Sequence, residues 1–199
     1  MKTKYIKQID VILSFLMSLL FIGMALREYR VKFDHIYELT FLSNFIAGVF
    51  LGAAGIWKCF GRKVPQVLYL DFAVLLMIVF GVTTLFSGHF TLDGAMLYLH
   101  AIDPIVLLAY YFLFSNQTDT KPKAVLTAFV MPLAYLIFAV LFGQATGKYI
   151  YFFLDYKWYG LDYTITFVAG IAAGTILFSF LLWFLNRLFH KIGKRAVAV

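Results

Sequence analysis

Charge is scarce in this sequence. Asp, Glu, Lys and Arg make up 14% of 199 residues, where a soluble domain carries roughly a quarter. Hydrophobic residues account for 63% and aromatics for 20%, and the mean hydropathy is +0.87. So little charge cannot cover a water-facing surface, and lipid is the expected solvent for most of the chain. Cysteine is scarcer still: Cys59 stands alone, which excludes an internal disulfide, and no second Cys or His cluster lies at metal-ligand spacing. There is no G-x-S-x-G elbow, no H-E-x-x-H helix, no Gly-rich phosphate loop and no D-x-[DN]-x-[DN]-G loop. Serine-hydrolase, zinc, nucleotide and calcium readings therefore have no support, and no metal or cofactor is expected. Nor is there a Pro/Gly/Ser linker long enough to part domains, so residues 1–199 are expected to form one domain. The net charge of +7 sits in short clusters between apolar runs, leaving no surface for a basic groove and arguing against nucleic acid as a partner.

What the chain does have is six long apolar runs, each about sufficient to cross a hydrocarbon core of roughly 30 Å. They cover residues 9–26, 38–57, 65–86, 95–114, 124–142 and 163–185. The fold class is thus all-α, a polytopic integral membrane protein with six transmembrane helices. The first run is long for a signal peptide and no small-x-small cleavage site precedes Arg27, so it is read as retained. Pro65 suits the first turn of the third span, and Pro132 predicts a kink in the fifth. Lys and Arg concentrate at the N-terminus, in the turn after span two, in the loop after span four and in the tail. That asymmetry predicts cytoplasmic termini. The segment 143–162, GQATGKYIYFFLDYKWYGLD, is long and aromatic, as befits the membrane interface. Gly48-x-x-x-Gly52 and Gly170-x-x-x-Gly174 would allow close helix packing in spans two and six, within the bundle or in an oligomer.

Few polar side chains lie inside these runs. Thr40, Ser43 and Asn44 occupy i, i+3 and i+4 and so share one helix face near the start of span two. His100 and Asp103 lie near the start of span four, again three residues apart. With the termini inside, both spans start at the outer face, and Thr40 and His100 differ in depth by only roughly 5 Å at 1.5 Å per residue. Thr83, Thr84, Gln144, Thr146 and Thr164 fall at comparable depth, suggesting a shallow amphiphile pocket in the outer half. A threonine at a helix start is commonly a cap or a back-bonded hydroxyl, and Ser43 and Asn44 can join helices. An ionisable His100 inside a membrane points instead to an interior site. Asp103 could hold its imidazole, or could serve a kink at Pro104. Asp10 and Asp71 are expected to snorkel or to pair with lysines, and His35, His89 and His190 to be solvated.

Three segments carry a resemblance. Leu39-Thr40-Phe41 opens span two, LYLHAIDPIVLL places His100 shortly before a proline, and YLIFAVLFGQATGKYIYFFLD runs from Tyr135 to Asp155. Together with the six-span plan they resemble the androgen-induced gene 1 family, and most of all its bacterial branch, called Pr6Pr membrane proteins. Animal members are intramembrane threonine hydrolases of fatty acid esters of hydroxy fatty acids. The resemblance implies Thr40 as nucleophile and His100 as base, a membrane-lipid ester as substrate, and residence in the cell membrane. Asp103 stands where animal members have apolar residues, and Tyr151-Phe152 replaces their Tyr-Pro. Asn44, one turn from Thr40, is a candidate oxyanion donor, with Ser43 and Asp103 lining the cavity. The alternative expectation is a non-enzymatic small transporter or lipid-binding scaffold with the same polar residues lining a cavity.

Overall fold

A computed structural model describes residues 2–85 and 93–197, with side chains over 5–85 and 93–192. His89 and most of the 87–94 connection lie outside the described residues. The chain is helical, with no strand among the described residues. Six helices are long and apolar enough to cross a membrane: α1 (Lys2–Tyr29), α2 (Leu39–Cys59), α3 (Gln66–Leu85), α4 (Gly94–Phe114), α5 (Pro122–Thr146) and α6 (Leu161–Val197). This is a multi-pass membrane protein.

Where the sequence gives no sign of a boundary, the chain divides into two compact units, residues 1–116 and 117–199. In the first, α1 and α2 form the most intimate pair, and the glycines of α2 are the reason. A Cβ on Gly48 would stand 2.7 Å from Ile22 Cγ1 and 3.1 Å from the Ser18 carbonyl, and one on Gly52 would stand 2.8 Å from Ser18 Oγ. The first small-residue pattern thus works inside the unit. Gly170 and Gly174 differ: among the described residues nothing lies within 4 Å of their missing Cβ positions, and both are exposed. At the far end of α2, Gly61 turns left-handed (φ 69°) and its N–H returns to the Lys58 carbonyl at 2.9 Å, a stop that glycine adopts without steric cost.

Lys58 closes the same end of the unit. Its Nζ donates to Asp10 Oδ1 (2.7 Å) on α1, to Ser14 Oγ (3.1 Å) and to the Tyr110 hydroxyl (2.6 Å) on α4, and it lies 5.2 Å from the Tyr69 ring on α3. An ammonium has three N–H groups, and all three have acceptors. Asp10 is therefore paired with a lysine, as expected, although the partner comes from another helix. Asp71 is buried instead of snorkelling.

In the second unit, α5 begins as 3-10 helix (Pro122–Phe129) and turns α-helical at Val130. Pro132 occupies the first α-turn, so the irregularity it demands lies just ahead of it. The aromatic segment is packed as well as interfacial in composition. Phe153 and Leu154 are buried with Ala139 of α5, Phe153 stacks on Phe167 of α6 at 4.6 Å, and Tyr149 lies directly over Gly143. Trp158 faces outward, 80% exposed.

Candidate functional site

The start of α2 is held from both sides. Glu38 is its extended N-cap residue, without a side-chain cap bond. Its carboxylate instead accepts from the Tyr29 hydroxyl (2.6 Å) and from His35 Nδ1 (3.0 Å). Tyr29 also packs its ring 5.0 Å from Phe41, in a cluster with Ala25 and Leu99. These contacts fix the first turn of α2 against α1 and α4. His35, expected to be solvated, is half-exposed but engaged. Nothing in the local sequence marks Tyr29 or Glu38, because their pairing depends on how the loop 30–38 folds back.

Across from that turn, α4 carries an irregularity. Residues Tyr98–Ile102 form a π-helical turn in which the Asp103 N–H reaches back five residues to the Tyr98 carbonyl. Such turns recur at functional sites. Pro104 explains the next step. In the same register the Leu99 carbonyl would take the N–H of residue 104, and proline has none. Asn44 supplies the missing donor from α2: its Nδ2 reaches the Leu99 carbonyl at 3.1 Å and the Thr40 carbonyl at 2.8 Å. The two amide hydrogens of Asn44 are both engaged. The expectation that Asn44 offers its amide to an oxyanion does not match this geometry; it ties the backbone beside Thr40 to the backbone beside His100. Ser43 is likewise turned inward, its hydroxyl donating to the Thr40 carbonyl at 3.3 Å.

Between these backbones the two candidate side chains meet. Thr40 Oγ1 lies 3.1 Å from His100 Nε2, and His100 Nδ1 lies 3.1 Å from the Met96 carbonyl. A carbonyl can only accept, so Nδ1 carries the hydrogen. The neutral ring then presents a lone pair at Nε2, to which the Thr40 hydroxyl donates. Both side chains are almost buried, Thr40 at 8% and His100 at 3% exposure. Thr40 is neither a cap nor back-bonded to its own helix.

Asp103 does not orient His100; the Met96 carbonyl does. The carboxyl of Asp103 is fully buried, and neither oxygen has a hydrogen-bond partner among the described residues; the same is true of Asn44 Oδ1. The π-helical turn removes the regular α-helical geometry in which i+3 spacing would set the Asp103 side chain beside the ring. The other hydroxyls expected at comparable depth bond within their own helices or helix ends. Thr83, Thr84, Thr146 and Thr164 each donate to the carbonyl four residues back, and Gln144 is exposed. No cluster of three or more His, Cys, Asp or Glu able to hold a metal occurs among the described residues.

Fold and site together define a six-span helical membrane protein with a buried threonine–histidine pair. The chain matches no family model, no curated protein and no solved structure.

Proposed function

We propose that this protein is an intramembrane threonine hydrolase of the cell membrane that cleaves lipid esters, fatty acid esters of hydroxy fatty acids being the substrate class. The observation that carries the reading is the 3.1 Å approach of Thr40 Oγ1 to the acceptor nitrogen of His100, in a ring whose other nitrogen is fixed by a carbonyl. A threonine hydroxyl becomes a useful nucleophile when an adjacent base takes its proton. Thr40 Oγ attacks the ester carbonyl carbon while its proton passes to His100 Nε2. The tetrahedral intermediate then collapses, and the leaving alkoxide of the hydroxy fatty acid takes that proton. Water, deprotonated by His100, clears the acyl-threonine and releases the fatty acid. The family resemblance of the sequence points to the same two residues. On this reading both termini are cytoplasmic and the pair lies in the outer half of the bilayer.

The test is covalent labelling of purified protein by a lipid-like fluorophosphonate, with Thr40→Ala and His100→Ala as controls. Labelling of the wild type that both substitutions abolish is the expected result, and it declines on acidification as Nε2 takes up a proton. Absence of labelling in folded wild-type protein removes the hydrolase reading.

A second reading, a small transporter or lipid-binding scaffold, is favoured by one observation: the buried carboxyl of Asp103, without a hydrogen-bond partner among the described residues, a kind of group associated with ion and proton paths in membranes. It requires Asp103 for function and leaves Thr40 dispensable, the reverse of the labelling result above.

A further inference from the structure

We infer that the C-terminal end of α6 is a binding site for an anionic phospholipid, independent of the chemistry at Thr40. A cavity of about 470 Å³ is lined by Thr118, Trp183, Phe184, Arg187, Leu188 and Lys191, all in the second unit. Its cations have different standing. Arg187 is pre-set: its guanidinium lies 4.7 Å from the Trp183 ring centre, and Nη1 donates to the Thr120 carbonyl at 3.2 Å. Trp183 Nε1 donates to the same carbonyl, also at 3.2 Å. One oxygen thereby fixes both the guanidinium and the ring beneath it. A guanidinium has five N–H groups, so donors remain for an incoming ligand. Lys191 follows one helical turn later, and no carboxylate lies within 4 Å of either cation among the described residues, Asp119 of the neighbouring loop included. Two cations facing one cavity call for a phosphate or a comparable anion.

The adjoining surface selects a lipid. Leu177, Leu181, Phe184 and Leu188 recur at helical spacing on one face of α6 and are exposed by 71%, 49%, 57% and 42%. At 1.5 Å per residue this stripe is about 16 Å long, and it runs directly into the turn that carries Arg187 and Lys191. A cationic head at the end of an apolar strip on a membrane-spanning helix has the shape and polarity of an anionic amphiphile. Basic pockets between or beside spanning helices bind such headgroups.

The test uses full-length purified protein in phosphatidylcholine nanodiscs, with native mass spectrometry reading retained lipid as phosphatidylglycerol is titrated in. The expected result is retention of phosphatidylglycerol in preference to phosphatidylcholine. Lys191→Gln, an exposed substitution that breaks no described contact, weakens that retention about fivefold, the effect of one cation near a headgroup. Arg187→Gln weakens it at least as much, with a melting curve to show that the variant is folded. Equal retention of the two lipids, or unchanged retention in Lys191→Gln, overturns the site. Glycerol phosphate without acyl chains is the third arm: if it competes as well as the whole lipid, the cavity is a soluble-anion site and the lipid assignment falls.

Discussion

At the scale of single residues, Asn44 and Asp103 exchange the importance that their positions suggest. Asn44 is fully buried and hydrogen-bonds the carbonyls of Thr40 and Leu99, so it positions both halves of the pair without touching the reacting atoms. Removing it as Asn44→Ala strands the buried Leu99 carbonyl, at a cost of about 1–3 kcal/mol, while the Thr40 carbonyl keeps the Ser43 hydroxyl as a donor. The expected outcome is a lower melting temperature together with slower fluorophosphonate labelling. An oxyanion donor would behave differently, losing labelling at unchanged stability, so measuring both quantities on one preparation separates the roles. Asp103 was legible in the sequence as an ionisable group near His100, and i+3 spacing implied contact. That inference assumes regular α-helical geometry. With a π-turn between the two residues the spacing no longer aligns their side chains.

At the scale of elements, α4 is where local sequence and tertiary contact combine. Pro104 removes one N–H, the π-turn changes the register ahead of it, and a side chain from α2 fills the resulting gap. Pro104→Ala returns an N–H to residue 104 and allows regular α-helix through 98–104. The imidazole of His100 then turns away from Thr40. Labelling should fall by about 10²-fold, the loss typical of a misplacement near 1 Å, while circular dichroism shows undiminished helix. Unchanged labelling would mean that α2 alone holds the ring in place. The α1–α2 pair shows the complementary case: Gly48 and Gly52 announce close packing in the sequence, and the structure supplies Ser18 and Ile22 as what they pack against. The same pattern at Gly170 and Gly174 meets nothing within 4 Å among the described residues, because a small residue permits close approach but does not cause it.

At the scale of the whole molecule, the proposed topology puts both termini and the Lys58–Lys63 turn on one side of the membrane. The distribution of basic residues predicts that this side is the cytoplasm. Cys59, the single cysteine, is exposed at the end of α2 and so provides a native probe of topology. A membrane-impermeant maleimide should leave Cys59 unlabelled in intact cells and label it after permeabilisation. In a Cys59→Ser background, Trp158→Cys should react in intact cells. The opposite pattern would invert the topology and place the Thr40–His100 pair in the inner half of the bilayer.

Composition and hydrophobic run length determined the class of this protein by themselves. A chain with 14% charged residues and six apolar runs of spanning length must satisfy its backbone internally in lipid, and helices do so without reference to any neighbour. Thr40 and His100 could likewise be singled out, because polar groups in such runs are few. Which polar groups meet was decided only by the tertiary structure. Hydrogen bonds act over about 3 Å, and whether residues 60 positions apart come that close depends on helix rotation and on the π-turn at 98–102. The ion pair of Lys58 with Asp10 and the capture of Glu38 by Tyr29 and His35 depend on helix neighbours in the same way.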